Sequence, residues 1–337
     1  MSAPPRTAEN GAQAGRDRAG RRSAETRAAV TAVVVSYNVA GLLERCLRSL
    51  RTAFAEMGLE PDIVVVDNAS TDGSPELVRR RFPGVTLVAN ERNAGFGAAC
   101  NQGLGRAGEY VLFLNPDTEL TPGALAALTA RLRRTPRAAL VGPRLVYPDG
   151  RAQPSRRRFP SLAVLLMEST PLDWRLPRLA PLRHYRYDAV GERPMPVDWL
   201  SGACLLGRTA ALRQVGGFDP TFFLYFEEVD LCRRLAAYGW DTWYEPAAVV
   251  VHHHDQSAGQ DLGARDRHYY RSKYRYVDRY FGVALGWAVR YVASALFAGE
   301  AIIHQARGNT ASARRFRALA RWHLWPEARS GERERAS

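Results

Sequence analysis

The stretch IVVVDN at residues 63–68 places four apolar residues, three of them valine, directly before an aspartate and an asparagine. A short apolar run of this kind indicates a buried strand. Two further stretches share the form, TAVVVSYN at 31–38 and YVLFLNPD at 110–117. Apolar residues between them recur at three- and four-residue steps over 43–57, and a second helix is predicted over 96–106. Strands that alternate with helices predict an α/β fold with a doubly wound sheet.

Polar residues follow three of these strands, at the point where each strand ends. They are Ser36, Asn38, Asp67, Asn68, Asn115 and Asp117. Ligands of open α/β sheets bind outside the carboxyl ends of the strands. One such residue would mean little, but three strands that end in this way predict a shared crevice.

The other predicted elements have weaker patterns. They are a helix that begins at Ser74-Pro75, strands at 85–88, 197–206 and 249–251, a helix at 226–238, and helices from about residue 265 onward. Residues 144–196 are rich in Pro and Arg, and we expect them to be irregular.

The length of 337 residues and the 46% hydrophobic content allow one large α/β domain with an extension, or two small domains. We expect a disordered basic tail at 1–28, an α/β domain at 29–262 and a helical extension at 263–330. The tail contains no apolar stretch of the kind found in signal peptides. The four cysteines form no CxxC pair and are expected to be small buried residues in a reducing compartment.

The net charge of +13 comes almost entirely from arginine, because Lys273 is the single lysine. A solvated basic surface would explain this charge, and so would anionic partners such as nucleoside diphosphates or lipid headgroups. Nucleic acid is excluded as the expected partner, because no helix-turn-helix, zinc-finger or RNP-type motif accompanies the charge.

Residues 283–303 are apolar over a length that could cross a bilayer, but Arg290 and Glu300 interrupt them. An interfacial or core-packed helix is therefore favoured over a spanning one. The preceding residues 265–276 are basic and aromatic. This segment suits an anionic membrane surface, and it equally suits a tyrosine-lined packing face.

Asp117 is a candidate ligand for a divalent cation, Mg²⁺ or Mn²⁺, because hard cations bind carboxylate oxygens. Such a cation would neutralise the charge of a diphosphate leaving group. Asn115 could assist as a neutral ligand, and His252 could bind the same metal. The alternatives are a strand-end turn aspartate and a structural histidine.

Three carboxylates, Glu227, Glu228 and Asp230, follow an aromatic run at 222–226. Clustered carboxylates near apolar walls raise one another's pKa, which favours a general base. The alternative is an acidic first helical turn that the helix dipole stabilises.

Seven stretches, taken in order, resemble the family 2 glycosyltransferases, and among them the bacterial rhamnosyltransferases. They are TAVVVSYN (31–38), VVVDNASTDGS (64–74), NAGFGAACNQG (93–103), FLNPDTEL (113–120), WLSGACLLGRTA (199–210), GGFDPTFFLYFEEVDLCRRL (216–235) and YEPAAVVVHHH (244–254). The resemblance implies a GT-A-type fold with a mixed sheet and a Rossmann-like nucleotide-binding half. It also implies inverting, metal-dependent transfer of a sugar from a nucleotide-sugar donor.

The resemblance assigns the donor side of the site. Ser36, Tyr37, Asn38 and Asp67 would hold the nucleoside, with Asp67 on the pyrimidine, and Asn93, Gly95 and Asn101 would line the pocket. Asn115-Pro116-Asp117 stands where the family has its DxD motif. The first acid of that motif is replaced by asparagine, so Asp117 would carry the metal together with His252.

The acceptor side follows in the same way. Trp199, Ser201 and Gly202 would face the sugar and the acceptor. Glu227 and Glu228 match the family's Glu-Asp pair, which makes Glu228 the expected base, and Asp230 would support it. Glutamate in place of aspartate lengthens the reach by one methylene.

The resemblance favours L-rhamnose from dTDP-rhamnose as the donor sugar, with UDP- and GDP-sugars open, and a lipid-linked or polysaccharide acceptor. A cytoplasmic enzyme, peripheral at the inner face of the membrane, is expected. A noncatalytic nucleotide-sugar-binding protein of envelope assembly is the alternative from another class. A membrane or nucleic-acid binder driven by charge alone would leave the ordered motifs unexplained.

Overall fold

The computed structural model describes residues 30–187, 192–253 and 262–324. The tail expected at 1–28 and the last residues of the expected extension lie outside the described residues, as does His254. The strands are β1 Val30–Ser36, β2 Ile63–Asp67, β3 Thr86–Ala89, β4 Tyr110–Leu114, β5 Thr118–Leu120, β6 Ala138–Val146, β7 Ala152–Gln153, β8 Arg156–Arg157, β9 Met195–Val197, β10 Trp199–Leu200, β11 Cys204–Arg208 and β12 Asp241–His252.

Twelve helices are found within the described residues. They are α1 Ala40–Glu56, α2 Ser74–Arg81, α3 Phe96–Leu104, α4 Ala124–Arg134, α5 Leu162–Met167, α6 Pro171–Arg175, α7 Ala180–Tyr185, α8 Thr209–Gln214, α9 Glu227–Ala237, α10 Leu262–Phe281, α11 Val283–Ala306 and α12 Thr310–Leu324.

A mixed sheet with the main strand order β3-β2-β1-β4-β11-β6-β12-β5 forms the centre of the fold. The first four strands in this order are parallel, and helices α1, α2 and α3 connect them. β11 runs antiparallel to β4 and β6, and β12 runs parallel to β6 and antiparallel to β5. The doubly wound mixed sheet predicted from the sequence is therefore confirmed.

Helices cover both faces of this sheet. α1 buries Leu43, Leu47, Leu50 and Phe54 on one face, with the three- and four-residue spacing that the sequence predicts. α3 and α9 pack on the other face through residues that include Cys100 and Cys232. All four cysteines are buried and free, as expected.

The single strand predicted over 197–206 is wrong. The chain breaks there into β10 and β11, separated by a turn at Gly202 and Ala203. β10 pairs with β8 in a small separate sheet, whereas β11 joins the main sheet beside β4. The break lies where the Ser201 N–H donates to the Ser155 carbonyl at 2.8 Å. Apart from Asp198 and Ser201 the residues of 197–206 are apolar or glycine, and all are buried or partly buried, so the pattern does not show the break.

The irregular structure expected for 144–196 is correct only in part. This stretch contains the end of β6, strands β7, β8 and part of β9, and the helices α5, α6 and α7. Those helices have five or six residues each, so each makes less than two turns and shows no helical periodicity.

Helices α10, α11 and α12 form the C-terminal part of the fold, as predicted. Tyr270, Tyr274 and Tyr276 of α10 are buried in one cluster with Phe226 and Phe297. The basic and aromatic segment was expected either to face a membrane or to form a packing face. These tyrosines form a packing face. Among the described helices, none combines the length and the apolar character that crossing a membrane requires.

Candidate active site

A cavity of about 520 Å³ opens beyond the carboxyl ends of β1 and β4, at the crevice that the sequence predicts. Its lining includes Tyr37 after β1, Asn68 after β2, and Asn115 to Asp117 after β4. The lining also includes the turn between β10 and β11 and the residues around the start of α9. The site thus combines the parallel half of the sheet with the later, mixed half.

Asp117 and His252 meet on one wall because β5 and β12 pair antiparallel, with Thr118 opposite His252. The Asp117 side chain is 2% exposed, and its Oδ1 lies 3.3 Å from His252 Nε2. That Oδ1 atom has no hydrogen-bond partner within the described part of the chain. His252 Nδ1 lies 2.8 Å from the Gln153 Oε1 atom.

This pair fits a divalent cation. With Nδ1 of His252 donating to the Gln153 oxygen, Nε2 would present a lone pair to a cation held beside Asp117. Two ligands at right angles on Mg²⁺, with bonds of about 2.1 Å, lie about 3 Å apart. No group of three His, Cys, Asp or Glu side chains suited to a metal exists within the described ranges. Phosphate oxygens of a substrate would complete the coordination, as Mg²⁺ commonly requires.

Glu227 and Glu228 open α9 and line the same cavity. The pKa of Glu228 is raised to about 7 because the carboxyl is buried, although nearby backbone N–H groups, including that of Gly202, oppose the rise. Burial raises the pKa of Glu227 well above its ordinary value, and the neighbouring Glu228 adds to this effect. One carboxyl oxygen of each residue is buried without a hydrogen-bond partner among the described residues. A buried carboxyl of this kind is suited to accept a proton near neutral pH.

A strained loop holds these two acids at the cavity. Tyr225 and Phe226, immediately before α9, have φ angles of 67° and 65°. Such angles cost non-glycine residues on the order of 1–3 kcal/mol each and are concentrated at functional sites. The loop is fixed against Gly95, where an added Cβ would lie 2.5 Å from the Phe223 carbonyl oxygen, so only glycine fits. The Phe96 N–H donates to that same oxygen at 2.9 Å.

Residues 31–216 match the Glycosyl transferase family 2. The chain belongs to this family. The transferase is also 37% identical over 274 residues to the N-acetylglucosaminyl-diphospho-decaprenol L-rhamnosyltransferase of Mycobacterium tuberculosis. The matched residues cover 77% of this chain and 88% of the relative. Rhamnosyltransferase WbbL of Escherichia coli is 36% identical over 85 residues, 25% of this chain and 31% of the relative. The chain is thus a glycosyltransferase, and the resemblance to bacterial rhamnosyltransferases is confirmed.

The fold of the transferase is similar to that of a mannosyltransferase from Pyrobaculum calidifontis, solved in complex with GDP-Man and Mn²⁺. The two chains share 20% identity with a TM-score of 0.52, over 90% of this chain and 89% of the other. Together with the family match, this similarity confirms the GT-A-type fold.

The structure brings most of the predicted site residues of the transferase to the cavity. They are Tyr37, Asn93, Gly95, Asn115, Asp117, Trp199, Ser201, Gly202, Glu227, Glu228 and His252. Five others lie off its lining, namely Ser36, Asn38, Asp67, Asn101 and Asp230. Ser36 is the last residue of β1 and is fully buried.

Asp67 and Asn38 shape the loop that follows β2. The two carboxylate oxygens of Asp67 accept hydrogen bonds from the backbone and the hydroxyl of Ser70, at 2.8 and 2.6 Å. The Asn38 side-chain oxygen accepts from the Thr71 N–H at 2.7 Å. The neighbouring Asn68 lines the cavity itself and donates to the Gly95 carbonyl.

Asn101 and Asp230 connect elements behind the cavity. The Asn101 amide bonds both the N–H and the carbonyl of Phe218, at 2.9 and 2.7 Å. Asp230 is fully buried, and its carboxylate contacts Arg234 and Arg279 at 2.7 Å each and the Tyr280 hydroxyl at 2.8 Å. Both side chains therefore join structural elements, and Asp230 connects α9 to α10.

Sequence reasoning missed several cavity residues, chiefly Gln153, Arg157, Phe223 and Tyr225. Arg157 is the single arginine on the cavity lining, opposite Trp199 in the β8–β10 pair. Within the described ranges it has no carboxylate partner within 4.0 Å; its guanidinium lies over the Tyr185 ring at 5.9 Å. The sequence has three consecutive arginines at 156–158 and does not distinguish Arg157 from its neighbours. The aromatic run at 222–226 did indicate the loop that carries Phe223 and Tyr225.

Proposed function

We propose that this transferase moves L-rhamnose from dTDP-rhamnose to a lipid-linked acceptor by an inverting, metal-assisted displacement. The observation that carries the proposal is that two sets of side chains line one cavity. Asp117 and His252 approach each other at its lining, and the Glu227–Glu228 pair at the start of α9 lines the same cavity. A transferase needs both, because a leaving diphosphate requires charge neutralisation and the acceptor hydroxyl requires a base.

Asp117 and His252 would hold the divalent cation, Mg²⁺ or Mn²⁺. When bound, this cation neutralises negative charge on the departing diphosphate. The Asp117 carboxylate would otherwise repel that diphosphate, so the fit of a cation beside it supports the proposal.

Glu228 acts as the base. The acceptor hydroxyl oxygen bonds to the anomeric carbon of the donor while the bond from that carbon to the diphosphate oxygen breaks. The hydroxyl proton moves to a Glu228 carboxylate oxygen, and the nucleoside diphosphate departs with the electron pair of the broken bond. Attack and departure take place on opposite faces of the sugar, so the configuration inverts. Asp230 positions α9 through Arg234 and Arg279 rather than contacting the substrate.

The nucleoside is assigned to the edge formed by Tyr37, Asn38, Asp67 and Asn68. Tyr37 is 37% exposed at the cavity and offers a ring face for base stacking. Asp67 accepts from Ser70, and its remaining lone pairs can accept the imide N–H of a pyrimidine. Asn93 and Gly95 line the pocket beside it.

The acceptor is assigned to the wall of Trp199, Ser201 and Gly202. Arg157 lies beside Trp199 and offers a planar guanidinium for a phosphate group. The Mycobacterium tuberculosis relative is named for an N-acetylglucosaminyl-diphospho-decaprenol acceptor, so a diphosphate-linked lipid of this class is the acceptor proposed. Such an acceptor places the enzyme at the inner face of the cytoplasmic membrane, in the synthesis of a cell-wall polysaccharide.

A donor panel tests the proposal. Purified enzyme is incubated with Mg²⁺ or Mn²⁺, a diphosphate-linked GlcNAc lipid, and dTDP-rhamnose, UDP-sugars or GDP-sugars in parallel. We expect metal-dependent product with dTDP-rhamnose and its loss with a chelator. Product from a UDP- or GDP-sugar alone would overturn the donor assignment, and undiminished transfer in chelator would overturn the metal.

A further inference from the structure

Exposed apolar side chains are concentrated in one region of the described structure. Ten large hydrophobic side chains are exposed, and eight of them lie on α11 or at the end of α6. The six on α11 form the apolar patch: Val283, Leu285, Trp287, Tyr291, Val292 and Ile302. An apolar patch of this extent on a protein surface marks a binding site for a partner or a membrane.

The exposed face of α11 contains no polar residue between positions 283 and 302. Its exposed positions are Val283, Ala284, Leu285, Trp287, Ala288, Tyr291, Val292, Ala295 and Ile302. The opposite face packs into the fold through residues such as Val289 and Phe297. A helix that faces water would carry charged or polar residues on its outer face. The outer face of α11 is therefore suited to an apolar environment.

The end of α6 packs against the inward side of α11. The Trp174 ring centre lies 6.1 Å from that of Phe297 on α11 and 6.4 Å from that of Phe316 on α12. Arg175 forms an ion pair with Glu300 of α11. These contacts place the exposed Trp174 and Leu176 beside α11.

Exposed arginines are frequent in the segments that carry and adjoin the apolar patch. Residues 279–324 contain seven arginines and one acid, Glu300, which is buried and paired with Arg175. Residues 174–187 contain four arginines and no acid. Acids just outside these segments pair with Arg290 and Arg315. The exposed arginines, here called the basic rim, are Arg175, Arg178, Arg183, Arg279, Arg307, Arg314, Arg315, Arg317 and Arg321.

We propose that the apolar patch inserts into the interface of an anionic lipid bilayer, while arginines of the basic rim contact its phosphate headgroups. Tryptophan and tyrosine favour this interface, and each basic side chain near an anionic surface adds attraction. A second copy of the chain fits less well, because joining two such patches would place one basic rim against another. The contact thus lies on α11, and not on the tyrosines of 265–276, which pack inside the fold.

This surface deepens the proposed function and rests on its lipid-linked acceptor. The cavity rim is linked to the inward face of α11 through a short series of aromatic contacts. Tyr225 on the rim lies 5.7 Å from Tyr269, Tyr269 lies 5.4 Å from Tyr270, and Tyr270 lies 6.2 Å from Phe297, all as ring centres. The helix that carries the patch therefore packs against the same aromatic cluster as the cavity rim.

The test compares the full-length chain with its W287S/Y291S variant in sedimentation with vesicles of phosphatidylcholine, with or without phosphatidylglycerol. Tyr238→Ser is the matched control, because Tyr238 at the end of α9 and Tyr291 are both 60% exposed. We expect the double variant to lose about tenfold or more of its partition onto anionic vesicles, and the control to retain it. All chains should bind phosphatidylcholine alone far more weakly.

Transfer to a short-chain, water-soluble acceptor separates this inference from the proposed function. The double variant should retain that activity while losing vesicle binding. Unchanged vesicle binding by the double variant would overturn the membrane surface. So would a dimer of the unsubstituted chain that the W287S/Y291S substitutions dissociate. Absence of transfer by every chain, with patch-dependent vesicle binding intact, would instead refute the proposed function alone.

Discussion

Replacing Glu228 by glutamine removes the carboxylate that is proposed to take the acceptor's proton, while the amide keeps nearly the same shape. General bases contribute roughly 10²–10⁴-fold to turnover, and kcat should fall by that amount. Donor affinity should change little, because the proton is transferred only in the reaction step. The assay is steady-state transfer with the donor titrated against the unsubstituted enzyme and Glu227→Gln.

The burial of Glu228 also fixes the expected pH dependence. With a pKa of about 7, roughly half of the side chain is ionised at pH 7 and about 1% at pH 5. Activity of the unsubstituted enzyme should therefore rise about fiftyfold from pH 5 to pH 7 and level off above pH 8. The residual activity of Glu228→Gln should lack this rise.

Stability should change in the opposite direction to activity. The folded state raises the pKa of Glu228 from 4.5 to about 7, so the ionised form is disfavoured by folding. The unfolding free energy of the enzyme consequently falls between these pH values as pH rises. Glu228→Gln removes a cost of about 3 kcal/mol at most, so its melting temperature at pH 8 should be higher than that of the enzyme. A variant that is less stable and loses donor affinity as much as turnover would refute the assignment of Glu228 as base.

Four other substitutions test the remaining assignments. Asp117→Ala should abolish transfer and weaken metal-dependent nucleotide binding; full activity with unchanged metal dependence would contradict its role. Asp67→Ala should weaken thymidine or uridine diphosphate binding about tenfold or more in calorimetry, since a charge-assisted bond contributes roughly 1.5–3 kcal/mol; equal affinity would remove it from the nucleoside site. Arg157→Gln should raise the acceptor KM about tenfold or more with the donor KM unchanged, and the reverse pattern would move Arg157 to the donor. Asp230→Asn should lower the unfolding free energy by about 1.5–3 kcal/mol because Arg234 and Arg279 lose their charged partner, whereas a stable but inactive protein would make it catalytic.

The strand ends of the parallel half could be predicted from the sequence because local patterns specify them. Valine runs define β1 and β2, and the polar residues after β1, β2 and β4 supply Tyr37, Asn68 and Asp117 to the cavity. The acidic start of α9 was visible for the same reason, since three carboxylates in four positions directly follow the aromatic run at 222–226.

Other parts of the site depend on long-range contacts that no local pattern records. Arg157 reaches the cavity because β8 pairs with β10, and Gly95 is required because a loop more than a hundred residues later approaches it. Asp230 looks like its two acidic neighbours in sequence, but the packing of α10 supplies Arg279 as its partner. The apolar character of 283–303 was evident, whereas only the packed structure shows which of its residues remain exposed. The domain boundary placed at residue 262 stays a prediction.

The anomeric configuration of the product tests the central claim most directly. Purified enzyme, dTDP-rhamnose, a divalent cation and a short-chain GlcNAc-diphosphate lipid should give a disaccharide whose new linkage is assigned by NMR. Single displacement with Glu228 as base predicts a rhamnosyl linkage of the configuration opposite to that of the donor. A product that retains the donor configuration would contradict the mechanism, because it would require a nucleophilic carboxylate beneath the sugar in place of a base beside the acceptor.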